Sequence, residues 1–327
     1  MTPARPPDRV SVSAPAKINL FLHVGAKRAD GFHDLESLVA FASAGDELIC
    51  ERDDALALTV TGTFGGDLPA GADNLVLKAA RLLGERVGTQ QRARMILRKE
   101  LPVASGIGGG SADAAAALRG LAALWGVDVA QEELIALAAR LGSDVPVCLA
   151  SRPAIISGRG ERIVPAGELP RFWFLLVNPG VQISTAEVFA RFDRSHPPDS
   201  PSPKNSSALA SSFSTLPQGQ GRNLDALVNF LRTTSNDLEA PAREIAPVIG
   251  DVLDDIARQP GTLFARMSGS GATCFGIYAD VGAARAAAAS IQSRHANWWV
   301  AATGLEIPHT LKGRGYRRTH KLDIVDE

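Results

Sequence analysis

The chain has 327 residues, 45% of them hydrophobic and 21% charged, with a formal net charge of −1, a composition that describes an ordinary globular protein with ample core. That near-neutral balance gives no global electrostatic case for nucleic acid or for an anionic membrane surface. The N-terminus Met-Thr-Pro-Ala-Arg-Pro-Pro-Asp-Arg lacks an apolar signal core and no transmembrane-length apolar run follows, so a cytoplasmic chain of about two domains is expected.

In chain order, Val10 to Ser13 and Ile18 to Val24 read as strands around a turn at Ala14-Pro-Ala-Lys17, and Leu35 to Phe41, Glu47 to Glu51 and Leu56 to Thr61 as three more. Asn74 to Val87 spaces its apolar residues as an amphipathic helix, and Arg94 to Arg98 is a strand delivering the chain to a glycine-rich stretch. Two helices follow, Ser111 to Trp125 and Gln131 to Leu141, before strands return near Ala154 to Ser157 and Phe172 to Val177. A Pro/Gly break around 165–170 suggests a boundary between a domain of residues 1–166 and one of 167–307. Residues 195–220, rich in Ser and Pro, read as an exposed insertion. Helices at Asn223 to Leu231, Pro241 to Ala257 and Val281 to Arg294, with strands at Leu263 to Arg266 and Thr273 to Tyr278, complete a mixed α/β chain. The tail 308–327 carries Lys312, Arg314, Arg317, Arg318 and Lys321 and reads as a solvated basic end.

The stretch Pro102, Val103, Ala104, Ser105, Gly106, Ile107, Gly108, Gly109, Gly110, Ser111, Ala112 sets a glycine loop against the start of an alanine-rich helix. Glycines allow positive φ and close backbone approach, and a helix N-terminus favours negative charge, so a di- or triphosphate is the expected ligand, with Ser111 as N-cap. No Lys lies between Ser105 and Leu118, which excludes a P-loop. The helix that follows excludes a dinucleotide fingerprint, which needs a second strand there.

A second small-residue loop, Ser268, Gly269, Ser270, Gly271, reads either as a hairpin turn or as a second nest facing the same phosphate chain. Neither loop carries the Gly-x-Ser-x-Gly of a hydrolase elbow, and the six His residues show no metal-ligand spacing. Cys50, Cys148 and Cys274 lie far apart in apolar sequence, as buried reduced thiols do.

Three segments together, Pro15-Ala-Lys-Ile-Asn-Leu-Phe-Leu-His-Val24, the loop from Pro102 to Ala117, and Ser268-Gly-Ser-Gly-Ala-Thr-Cys-Phe275, resemble the ordered motifs of the galactose, homoserine, mevalonate and phosphomevalonate (GHMP) kinases. Five more, Arg28 to Ser37, Asp73-Asn-Leu75, Leu141 to Val147, Asn178 to Val181 and Asn236 to Glu239, are similar to the branch of that family acting on a cytidine-diphosphate conjugate of methylerythritol, in the non-mevalonate isoprenoid route. The resemblance runs from about Ala14 to Ala302, with the 195–220 insertion and the tail outside it.

It implies ATP-dependent phosphorylation of an alcohol with Mg²⁺, in a cleft between an N-terminal α/β domain and a ferredoxin-like C-terminal domain. By motif position it implies Lys17 and Asp144 as catalytic pair. It places Asn74 and Lys99 on the ATP side, Phe32 and Phe189 as rings sandwiching cytosine, His33 as reader of the base, and Asn19 and Thr185 as further substrate contacts. Phe32 stands where the family often has Tyr, Ile107 replaces Leu, and Ala112 occupies a position where a small polar residue is common. Kinases acting on mevalonate, phosphomevalonate or homoserine would share the loops but ignore a cytidine-bearing acceptor. A nucleic-acid-binding module, suggested only by the basic tail, would show salt-sensitive affinity.

Overall fold

The computed structural model describes residues 6–68, 70–89, 92–196 and 223–306. The tail 308–327 and all of the 195–220 insertion except Ser195 and His196 lie outside them.

Seven strands form the first sheet: β1 (Arg9–Asn19), β2 (His23–Lys27), β3 (His33–Glu51), β4 (Leu56–Thr61), β5 (Ala93–Arg98), β6 (Ala154–Gly158) and β7 (Arg162–Pro165). The order is β4-β5-β3-β6-β7, with β1 and β2 also paired to β3, and only β4 and β5 run parallel. Helices α1 (Leu75–Val87), α2 (Gly109–Trp125), α3 (Gln131–Leu141) and α4 (Val145–Ala150) share a core with it. Alanines 112 and 114–117 are buried along α2, and Gly120 passes so close that a Cβ there would sit 3.0 Å from Cys50 Sγ and 3.1 Å from Val12 Cγ2. Small side chains let this helix lie directly on β1 and β3.

The second sheet is antiparallel, ordered β11-β8-β10-β9, from β8 (Trp173–Asn178), β9 (Phe264–Met267), β10 (Cys274–Tyr278) and β11 (Trp299–Gly304). Counted in sequence order, that is the 4-1-3-2 arrangement of a ferredoxin-like sheet, as the family resemblance implied. Helices α5 (Thr185–Ser195), α6 (Leu224–Arg232), α7 (Glu239–Ile245), α8 (Val248–Ala257) and α9 (Val281–Arg294) complete the described α-helices. A second core joins the two sheets, with Ile18 and Leu38 from one and Phe174 and Phe275 from the other. Phe174 and Phe275 meet edge to face at 5.9 Å, worth about 0.5–1.5 kcal/mol beyond their burial. A third core packs α5, α7, α8 and α9 under the second sheet.

Several expectations are corrected. Leu35 to Phe41 and Glu47 to Glu51, expected as two strands, are parts of one, β3, and Ile18 to Val24, expected as one, is divided between β1 and β2. The turn at Ala14 to Lys17 is instead the middle of one continuous strand, whose register against β3 jumps between Pro15 and Ala16. A bulge tolerates Pro15, which has no N–H to give a ladder. The single helix from Pro241 to Ala257 is two, because Pro247 lacks a donor and pushes Ala246 out of the helical region (φ −132°, ψ 85°). Helix α2 begins at Gly109, so Ser111 is its third residue and the cap is Gly108 at φ +65°, a left-handed conformation that glycine adopts without strain. All three cysteines are free and buried, as the sequence suggested. No helix among the described residues is long and apolar enough to cross a membrane.

Candidate active site

The bulge in β1 decides where Lys17 points. Val12 and Ala14 belong to the first core, while Ala16 and Ile18 belong to the second, so the even-numbered side chains change face across Pro15. Odd-numbered Lys17 therefore turns toward α2 and α4. Its Nζ donates to Asp144 Oδ2 at 2.8 Å, the two side chains being 5% and 36% exposed, and Asp144 stands at the N-cap of α4. The Lys17 N–H donates to the Ile107 carbonyl at 2.9 Å, and a Cβ on Gly108 would lie 3.2 Å from Lys17 Cβ. A buried cation and a partly exposed carboxylate thus abut the start of α2.

Between β5 and α2 the chain turns through positive φ at Ala104 (51°), Gly106 (76°) and Gly108 (65°). The Gly108 cap offers no side chain, and the first helical bond runs from the Ala112 N–H to the Gly108 carbonyl. The N–H groups of Gly109, Gly110 and Ser111 thus precede the helical ladder, where an anion can receive them. A Cβ on Gly110 would lie 3.7 Å from Leu75 Cδ1, so the start of α1 borders this corner. Asn74 caps α1 there, its Oδ1 accepting the Val76 N–H at 2.9 Å.

The second glycine loop is a hairpin connection, with Met267 opposite Cys274 across β9 and β10, and it also braces the first loop directly. Ser268 Oγ donates to the Gly106 carbonyl and accepts the Asn19 N–H, both at 3.1 Å, while the Thr273 N–H donates to the Ser105 carbonyl at 3.1 Å. Asn236 Nδ2 fixes the loop from behind through the Met267 and Gly269 carbonyls at 2.8 and 2.9 Å. Arg266, buried beside it, donates to the carbonyls of Leu20, Leu231 and Thr234, and burial lowers its pKa to about 10. Asn236 was legible only through its motif, and Arg266 was missed. A lone Arg in an apolar strand was the signal.

Among the residues that the resemblance assigns to the acceptor, Asn19 Nδ2 donates to Ser37 Oγ at 2.8 Å, and its Oδ1 is buried without a hydrogen-bond partner among the described residues. Thr185 opens α5, with its hydroxyl 2.9 Å from that of Ser270. Phe189, one turn on, stacks on the His33 ring at 5.4 Å and 26°. His33 Nδ1 lies 3.0 Å from the Gly25 carbonyl, while Nε2, 2.9 Å from Asp193 Oδ1, makes no hydrogen bond among the described residues. Phe32 is 57% exposed, with the Arg159 guanidinium 5.4 Å from its ring centre. The two phenylalanine rings make no contact with one another among the described residues.

Lys99 is not at the surface of the loop but beneath it. Its ammonium, 2% exposed, is held by the carboxylates of Asp46 and Asp113. Burial alone would lower its pKa, but the facing carboxylates outweigh that and hold it above the ordinary value. Burial raises Asp113 to about 7, against the pull of the same ammonium.

Residues 74–152 match the family model described as GHMP kinases N terminal domain, and residues 213–297 that described as GHMP kinases C terminal. The chain is 50% identical over 294 residues to a 4-diphosphocytidyl-2-C-methyl-D-erythritol kinase of Parvibaculum lavamentivorans, covering 89% of this chain and 96% of the relative. It is 45% identical over 298 residues to the protein of that name from Rhodospirillum rubrum, covering 91% and 93%. A crystal structure of 4-(cytidine 5'-diphospho)-2C-methyl-D-erythritol kinase superposes with a TM-score of 0.71 at 32% identity, covering 90% of this chain and 99% of that one. A homoserine kinase from Cytophaga hutchinsonii, 18% identical with a TM-score of 0.68 over 94% and 97%, shares the fold.

Proposed function

The chain belongs to the GHMP kinases, within them to the 4-diphosphocytidyl-2-C-methyl-D-erythritol kinases, and we propose that it transfers the γ-phosphoryl group of ATP to a hydroxyl of that cytidine-bearing alcohol, giving its 2-phosphate and ADP. The observation that carries the reading is the Lys17–Asp144 pair, held 2.8 Å apart against a glycine loop whose following helix has no side-chain cap.

The chemistry follows from those residues. Asp144 accepts the proton of the attacking hydroxyl or orients it, and general acid–base help of this kind contributes about 10²–10⁴-fold. Lys17 faces that carboxylate as its counter-charge and offsets charge on the transferred group. The unpaired amides at the start of α2, with residues 102–108, cradle the phosphates, and the reaction then depends on positioning more than on covalent chemistry.

Mg²⁺ suits this donor set, because it commonly binds through substrate phosphates with few protein ligands. Ser111 offers a hydroxyl in the first turn of α2, and the ion would supply neutralising charge on the phosphates. Phe32, His33, Phe189, Asn19 and Thr185 are assigned to the acceptor. Stacking of the base on the Phe32 and Phe189 rings supplies about 1–3 kcal/mol each. The test is ADP release from ATP and Mg²⁺ with 4-diphosphocytidyl-2-C-methyl-D-erythritol, mevalonate, phosphomevalonate and homoserine in parallel. Turnover confined to the first supports the assignment, and turnover with any of the others in its place overturns it.

A further inference from the structure

Asp46, Lys99 and Asp113 form a charged group with almost no access to water, and nothing in the chemistry just described uses it. Its three members come from separate elements: Asp46 from the middle of β3, Lys99 from the residue after β5, and Asp113 from the second turn of α2. Asp46 works with both oxygens. One takes the Lys99 ammonium, while Oδ1 accepts the N–H groups of Glu100 and Leu101 at 2.6 and 2.9 Å. Lys99 Nζ donates in turn to Asp113 Oδ2 at 2.8 Å.

The phosphate loop runs between these anchor points. Its entry, at Glu100 and Leu101, hangs on Asp46 through two backbone amides, and its exit is tied through Asp113 to the same ammonium. Gly109 lies directly over that ammonium, since a Cβ there would come within 2.9 Å of Lys99 Nζ and 3.6 Å of Asp46 Oδ2. The main chain of Lys99 is pinned as well, its N–H to the Thr61 carbonyl at 2.8 Å and its carbonyl to the Phe64 N–H at 3.0 Å. Asp113 Oδ1 is buried without a hydrogen-bond partner among the described residues, an unsatisfied acceptor that a purely stabilising cluster has no reason to keep.

We propose that Asp46, Lys99 and Asp113 act as positioning residues for nucleotide binding, a buried clasp that sets the spacing between the entry and exit of the phosphate loop without touching the phosphates. Buried ion pairs are weak devices for stability and better suited to fixing one arrangement, which is the task here. The assignment rests on the kinase reading only in taking the loop's ligand to be ATP. It places Lys99 behind the loop, where the family resemblance had put it among the phosphate contacts.

The test uses the full-length protein and compares Asp113→Asn, Asp46→Asn, Lys99→Met and Lys99→Arg with the unaltered chain. ATP affinity is read by calorimetry without any acceptor, and KM for ATP and for the acceptor, kcat and Tm are read alongside. The clasp predicts that Asp113→Asn and Asp46→Asn, both nearly isosteric, raise the Kd and KM for ATP tenfold or more while the acceptor KM stays within twofold. Lys99→Arg should recover part of the ATP affinity lost in Lys99→Met. If Lys99→Met does not fold, the two Asn variants decide. Variants that lose only Tm, with normal ATP affinity in the folded fraction, would reduce the group to a structural one and overturn the proposal. So would Asn variants that bind ATP as well as or better than the unaltered chain while Lys99→Met does not, since a lysine freed from its carboxylates would then be reaching the phosphates. An unaltered chain that binds ATP but leaves the cytidine-bearing acceptor unphosphorylated would sink the functional assignment alone, and the binding arms would still decide the clasp.

Discussion

Gly106→Ala perturbs the seam along which the two glycine loops support each other. Gly106 sits at φ +76°, and a Cβ there would come within 2.6 Å of the Ser268 and Gly271 carbonyl oxygens and 2.7 Å of the Gly271 nitrogen. Even weakly bonded carbon and oxygen stay about 3.3–3.6 Å apart, so the loops would have to separate by about 0.7–1 Å. A left-handed alanine costs about 1–2 kcal/mol, and stretching the Ser268–Gly106 and Thr273–Ser105 hydrogen bonds costs about 1 kcal/mol each. The sum, about 3–4 kcal/mol, is a large fraction of a typical stability of about 5–15 kcal/mol but short of unfolding it. For a chain of this size the Tm should fall by about 4–6 °C in scanning calorimetry. Steady-state kinetics on the folded protein should show the ATP KM raised about tenfold, because the displaced backbone belongs to the proposed phosphate cradle. A Tm within about 2 °C of the original with an unchanged ATP KM would refute the bracing contact.

Asp144→Asn keeps the shape opposite Lys17 but removes the proton acceptor, so kcat should fall by about 10²-fold or more with acceptor binding intact by calorimetry. A near-normal rate would remove Asp144 from the chemistry. Phe32→Leu and Phe189→Leu should each raise the acceptor KM by roughly 5- to 150-fold, the equivalent of about 1–3 kcal/mol of base stacking, and leave the ATP KM alone. The exposed Phe32 should do so at no thermal cost, whereas Phe189, packed on His33, should also lower Tm. Variants that shift only Tm would count against the stacking role. Asp113 gives a pH prediction with a definite sign. Its pKa is raised from an ordinary 3.8 to about 7, so between those values the folded chain holds a proton that the unfolded chain releases, and its contribution falls as pH rises. The Tm of the original minus that of Asp113→Asn should therefore decline from about pH 5 to 7 and level off above about pH 8. A flat or rising difference would show that the raised value is wrong.

The glycine turn into an alanine-rich helix was legible from local chemistry alone, and the phosphate cradle is what we propose for it. What local chemistry could not supply was the pairing of Lys17 with Asp144, which are 127 positions apart and meet only because a bulge re-aims one strand. That pairing entered through the family resemblance, as did the ferredoxin-like second sheet. Ser111 was misplaced as a cap because Ser is the commoner cap residue and glycine's left-handed alternative leaves no side-chain signature. Helix α5 was overlooked although Val188 and Phe192 carry its period, and β11 was overlooked because its half-buried residues show no clean alternation. Asp46 reads as a polar residue near a strand edge, and only the tertiary fold reveals that it faces a lysine 53 positions away.

The three buried thiols have a practical consequence. Burial pushes Cys50 and Cys148 up to about 12 and Cys274 well above its ordinary value, so in the closed molecule almost none is present as the thiolate that alkylating reagents attack. Cys50 and Cys148 sit in the core under the first sheet and Cys274 in the core under the second. Alkylation of each sulfur is then a clock for the opening of its own core, and the order in which the three acquire a label under mild denaturant reports which half of the molecule lets go first.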